Sequence, residues 1–67
     1  MQRRNVKARM VKSIGWANEI MEVEYISGLI HQYKDVSEAD YIRSLTGAID
    51  KKVRRIGKTH PFTRISE

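Results

Sequence analysis

The hydrophobic period of this chain changes once, near residue 36. Before that point apolar and polar residues alternate, the spacing of strands with one buried face. From Met10 onward, Ile14 and Trp16 share one face, and Val11, Ser13, Gly15 and Ala17 take the other. Ala17-Asn18-Glu19 supplies a turn, since Asn tolerates the left-handed backbone conformation. Ile20 to Ile26 is the clearest strand: Met21, Val23 and Tyr25 face one way, Glu22 and Glu24 the other. A sheet with one wet face produces this pattern. Ser27-Gly28 reads as a two-residue hairpin connection. Leu29 to Asp35 continues as a third strand, with Leu29, His31 and Tyr33 alternating against Ile30, Gln32 and Lys34.

After Val36 the period becomes helical. Ser37 is placed to cap the amide three residues on, and Glu38 and Asp40 suit the positive end of a helix dipole. Tyr41, Ile42, Leu45, Ile49, Val53 and Ile56 recur mostly three or four apart, one amphipathic stripe from 38 to 56. Gly47 interrupts it, which fits either two helices hinged there or one helix with a weak point. Gly57 reads as the residue just past the helix end, with Arg54 and Arg55 in the last turn. Pro61 excludes helix from His60-Pro61-Phe62-Thr63-Arg64-Ile65, an extended segment in which Phe62 and Ile65 offer anchors to the core. The expected fold is α+β: a three-stranded antiparallel β-meander, then a broken helix or helical hairpin, then an extended C-terminal tail. Residues 1–9 read as a basic N-terminal arm, mobile or the ragged start of a first strand, and residues 10–67 as a single domain.

Composition narrows the chemistry. A chain of 67 residues buries only about 60% of the surface its unfolded form exposes, so the core is small. It has no Cys, which excludes disulfide staples, thiolate metal sites and cysteine nucleophiles. No apolar run spans a membrane, and the basic start lacks the apolar stretch of a signal peptide; a cytoplasmic location is expected.

The net charge of +5 conceals a segregated layout. Residues 1–13 carry Arg3, Arg4, Lys7, Arg9 and Lys12 and no acid. Residues 14–50 carry seven acids against Lys34 and Arg43. Residues 51–67 carry Lys51, Lys52, Arg54, Arg55, Lys58 and Arg64 against Glu67.

Ser13-Ile14, Trp16, Val23-Glu24-Tyr25, Gly28, His31-Gln32-Tyr33, Asp35-Val36, Tyr41, Leu45, Ile56, Pro61-Phe62 and Ile65 together form a pattern that resembles the KTSC domain, over roughly residues 11–65. Modules of that family occur at the C-terminus of some lysyl-tRNA synthetases and as small stand-alone proteins of bacteria and phages. Ser37 stands where the family usually has Pro, and His31 where it usually has Tyr. The resemblance implies a small α+β module that accompanies RNA-handling machinery. It carries over no catalytic residue.

The residues bear on three function classes. Enzyme chemistry lacks a motif: the serines sit in no nucleophile elbow, the glycines form no phosphate loop, and His31 and His60 have no metal-ligand spacing. No cofactor, no metal and no catalytic residue are expected. Nucleic-acid binding draws on Lys51, Lys52, Arg54, Arg55 and Lys58, five cations that cover the helix surface left by Val53 and Ile56, though not as one narrow line. The arm at Arg3, Arg4 and Lys7 extends that footprint, with RNA favoured over DNA. Aromatic residues for base stacking look scarce, because Trp16, Tyr25, Tyr33 and Tyr41 read as core. Protein interaction is the alternative. The acidic face at Glu22 and Glu24 suits a basic partner surface, the basic helix an acidic one; a homo-oligomer or a phage-type inhibitor module fits both.

Overall fold

The alternation of Met21, Val23 and Tyr25 against Glu22 and Glu24 forms the central strand of the computed structural model, which describes residues 2–65. Met1, Ser66 and Glu67, the outermost residues of the expected arm and domain, lie outside the described residues. In chain order the elements are β1 (Arg3–Asn5), β2 (Val11–Ala17), β3 (Ile20–Tyr25), β4 (Ile30–Tyr33), α1 (Glu38–Arg43), α2 (Ile49–Thr59) and β5 (Phe62–Arg64). Among the described residues the sheet is a five-stranded antiparallel meander, ordered β1-β2-β3-β4-β5. The α+β class and the central three strands match expectation; the strand number does not. Arg3–Asn5 of the basic arm pairs with β2, and the extended tail pairs with β4, Tyr33 opposite Phe62 and His31 opposite Arg64. Both edge strands have three residues, too few to show a period.

The two hairpins of the central three strands use different turns. Asn18 and Glu19 both adopt positive φ, 52° and 63°, which makes a tight two-residue connection from β2 to β3. The connection from β3 to β4 has four residues, Ile26-Ser27-Gly28-Leu29, rather than the expected two. The Gly28 amide donates to the Tyr25 carbonyl at 2.9 Å, and the Tyr25 amide to that of Leu29 at 2.8 Å. Gly28 sits at φ 99°, a value that an L side chain rarely adopts.

Both helices cover one face of the sheet. Val11, Ile14, Met21, Val23 and Tyr33 from the strands meet Ile49, Val53 and Ile56 from α2, with Val36 between. Val11 joins this face against the simple alternation. A bulge between Val11 and Ser13 sets Val11 opposite Tyr25 and Ser13 opposite Glu24, so the two residues point to opposite faces. The extra residue reverses the phase of the strand at its start.

The helical region is two helices. Ser37 Oγ accepts the Asp40 amide at 3.2 Å, which caps α1 as its spacing implies. Gly47 breaks the stripe in the left-handed region, at φ 72°. Helix α1 is short and buries none of its own residues; Tyr41 stacks on Trp16 at 6.2 Å, while Ile42 is exposed. Helix α2 does not stop at Gly57. It continues to Thr59, and Gly57 is interior because the Tyr33 ring presses on it: a Cβ there would stand 3.2 Å from Tyr33 Cε1. Phe62 and Ile65 are not core anchors either, being 53% and 46% exposed on the outermost strand and just beyond it.

The uncovered face is polar and tied together. The row across the sheet runs Arg3, Gly15, Glu22, Gln32, Thr63. Gly15 leaves room for the Arg3 side chain to cross β2 and form an ion pair with Glu22 on β3. A Cβ at residue 15 would stand 2.5 Å from the Gln2 carbonyl oxygen and 3.1 Å from Arg3 Cγ. Gly15→Ala is therefore expected to cost about 1–3 kcal/mol, as overpacking does. Thermal unfolding should register the loss, and amide exchange should quicken first at Arg3–Asn5. An unchanged midpoint with full protection of those amides would show that β1 does not depend on the gap at Gly15.

Candidate nucleic-acid interface

Helix α2 presents two faces because its apolar residues fall at 49, 53 and 56. Lys51, Arg54, Arg55 and Lys58 fall opposite, at i, i+3, i+4 and i+7. All four are exposed and line one shallow concavity. They form a continuous stripe, more compact than the five-residue surface expected. None of them is engaged in an ion pair among the described residues, where the pairs join Arg3 to Glu22 and Glu24, and Arg43 to Asp40.

Lys52 leaves the stripe. Its ammonium donates to the carbonyls of Arg43 at 3.0 Å and Thr46 at 2.9 Å. These carbonyls lie at and just beyond the end of α1, where a cation is favoured. Lys52 is therefore a strut between the two helices.

The N-terminal segment reaches α2 by a route that the sequence did not signal. Both Asp50 carboxylate oxygens accept backbone amides, from Arg9 at 3.0 Å and Met10 at 3.2 Å. This places Arg9 beside Lys51 and Arg54, and Lys7 beside Lys51. The stripe is thus extended by Arg9 and Lys7. Arg3 and Arg4 are elsewhere, on β1 at the far edge of the sheet. Arg4 is exposed; Arg3 donates through Nε to Ser13 Oγ at 3.1 Å and pairs with Glu22 and Glu24 on the uncovered face.

The acidic pair at Glu22 and Glu24 is not an open acidic surface. Glu22 is 5% exposed and accepts from Gln32 Nε2 at 2.9 Å besides Arg3. Glu24 accepts the Ser13 hydroxyl at 3.0 Å. Both carboxylates are satisfied within the sheet, which leaves little for a partner to neutralise.

Near the C-terminal half of α2 four rings gather. The Tyr25 and Tyr33 hydroxyls are hydrogen-bonded at 2.7 Å, and Tyr33 Oη is 3.1 Å from His31 Nδ1. Phe62 stacks on His31, with centroids 4.8 Å apart and planes 29° apart. Burial, then the hydrogen bond and charge of Tyr33, raise the Tyr25 hydroxyl well above the ordinary phenol range. Desolvation, then the nearby Arg64 guanidinium, lower the His31 pKa below its ordinary value. His60 is separate: its Nδ1 contacts the Lys34 carbonyl at 3.0 Å, and it lines a different cleft from His31. Among the described residues no three His, Asp or Glu side chains gather as a metal site, and no helix is long and apolar enough to cross a membrane.

No family model matches the chain, and no curated protein matches it.

The lowered His31 pKa makes stability depend on pH with a definite sign. Just below the ordinary imidazole value of roughly 6.5, the unfolded chain binds the proton that the folded one declines. The contribution is intact above that value and is lost as pH falls through the window below it. Chemical denaturation of His31→Phe should therefore show a shallower fall in stability below roughly pH 6.5 than the unsubstituted chain. Parallel curves for the two proteins would overturn the assignment.

Proposed function

We propose that this chain is a non-enzymatic accessory module of the cytoplasm that binds nucleic acid through the exposed face of α2, without strong sequence specificity. The observation that carries the reading is the stripe of Lys51, Arg54, Arg55 and Lys58, continued by Arg9, with no carboxylate paired to it among the described residues. Cations in such a row neutralise successive phosphates and release counterions, a mechanism indifferent to sequence. The preference for RNA over DNA rests on the resemblance to KTSC modules.

Fluorescence anisotropy with labelled RNA and DNA strands tests it. At about 50 mM salt, where phosphate contacts dominate, binding is expected and should weaken steeply as salt is raised. Lys51→Glu with Arg55→Glu should lower affinity at least tenfold and flatten the salt slope by roughly 0.7 per lost contact on a single strand. Lys52→Ala should leave that slope unchanged and lower the unfolding midpoint instead, since Lys52 caps α1. Absence of binding to either nucleic acid at that salt concentration sinks the proposal.

A protein-docking reading draws on one observation, the exposed Phe62 and Ile65 at the outer edge of the sheet. Light scattering that gives twice the monomer mass, or a protein partner that co-purifies after nuclease treatment at high salt, would favour it.

A further inference from the structure

The cleft between the C-terminal half of α2 and the ring cluster encloses about 350 Å³. Its sheet side is formed by Tyr25, His31, Tyr33 and Phe62; its helix side carries Arg54 and Lys58, both members of the basic stripe, and Asp50, whose carboxylate oxygens accept the Arg9 and Met10 amides. This volume is near the lower end of the range for small-molecule pockets, of the order that one flat heteroaromatic group occupies.

We infer that this cleft takes one unpaired base of a single-stranded nucleic acid, stacked on the Phe62–His31 wall, while Arg54 and Lys58 hold the phosphates on either side of it. The inference rests on the nucleic-acid reading and specifies which form of the polymer the site accepts. Three observations carry it. Phe62 is a large aromatic side chain left 53% exposed, yet its ring is already ordered against His31. The wall behind it is rigid, because the hydroxyls of Tyr25 and Tyr33 and the imidazole of His31 form one hydrogen-bonded chain. The cations at the rim are one helical turn apart, and both also line the shallow concavity that Lys51 and Arg55 complete.

A base within a duplex is already stacked and cannot enter. An unpaired base presents a π-face whatever its identity, so the cleft adds affinity for single strands without adding sequence readout. Neutral His31, favoured by its lowered pKa, stacks without carrying a further charge. The pocket also explains Gly57: its missing side chain lets α2 lie against Tyr33 at the back of the cleft.

The test compares a single-stranded oligonucleotide, as RNA and as DNA, with a duplex of the same sequence. The unsubstituted chain should bind the single strand more tightly than the duplex. Phe62→Ala should weaken single-strand binding about tenfold, the scale of one stacked base. Duplex binding and the salt slope should not change, because the phosphate contacts remain. Phe62→Trp should retain the affinity, and Phe62→Leu, which keeps apolar bulk at the edge strand, should lose it. A 2-aminopurine base within the strand gives a readout independent of any variant: its emission should fall on binding to the unsubstituted chain. Equal affinity for single strand and duplex, unaffected by Phe62→Ala and with no change in emission, would overturn the cleft while the basic stripe stands. Loss of all salt-dependent binding would overturn both. Preference for RNA over DNA strands, or its absence, separates a ribose contribution and leaves base stacking supported by the emission change.

Discussion

Glu22 lies on the sheet face that no described helix covers, yet it is 5% exposed. Arg3 reaches one of its oxygens from two strands away, and Gln32 reaches the other from the next strand. This contact joins β1, β3 and β4 across the face opposite the hydrophobic core. A two-layer domain of 67 residues has one core and one uncovered sheet face. Polar side chains that satisfy one another close that second face without a third layer. The arrangement requires Gly15, because a Cβ there would stand 2.5 Å from the Gln2 carbonyl oxygen and 3.1 Å from Arg3 Cγ, pushing β1 and the Arg3 side chain away. Partner removal would leave a buried carboxylate without its cation, which is costlier than never having formed the pair.

The same contact decides the molecule's electrostatics. The central segment is acidic in sequence, but much of that acid is engaged inside the fold. Arg3 takes up Glu22 and Glu24, Arg43 takes up Asp40, and the backbone amides of Arg9 and Met10 take up Asp50. Glu19, Asp35 and Glu38 stay exposed among scattered cations, and the densest run of unpaired like charge among the described residues is the outer face of α2. The basic–acidic–basic order of the sequence thus becomes an internally satisfied sheet and a basic helix surface. The acidic face expected to meet a basic partner is absent as a surface, because Arg3 of the N-terminal arm neutralises it.

How much of this was legible follows from the range of each signal. The three central strands, the turn at Asn18, the cap at Ser37 and the break at Gly47 were all readable, since each depends on neighbours in sequence. Strands β1 and β5 were not, because three residues carry no period and their pairing is set by distant partners. The bulge after Val11 escaped for a similar reason: an extra residue reverses facing without altering composition. Gly57 reads as a helix end from its neighbours alone, because the Tyr33 ring that requires it lies 24 positions earlier. At the candidate site Lys51, Arg54, Arg55 and Lys58 were legible from helical spacing. Lys52 was not separable from them, since its carbonyl partners depend on how the two helices meet. Hydrophobicity alone places Phe62 in the core, whereas the outermost strand leaves it at the rim.

The stripe on α2 is poorly explained by stability. Lys51 and Arg55, and likewise Arg54 and Lys58, are like charges at i, i+4, each pair destabilising a helix by roughly 0.2–0.5 kcal/mol. Lys51 also lies in the first half of the helix, toward the end where the dipole disfavours cations. Solubility does not require the arrangement either, because interspersed charges of both signs serve it as well. In a domain with so small a core, these repulsions are a measurable fraction of the net stability. A polyanion laid along the stripe removes them, since each phosphate replaces a like-charge neighbour with an opposite one. On the proposed reading, binding and folding are therefore coupled through the same four side chains: a polyanion bound along the stripe would also relieve the repulsion of assembling it.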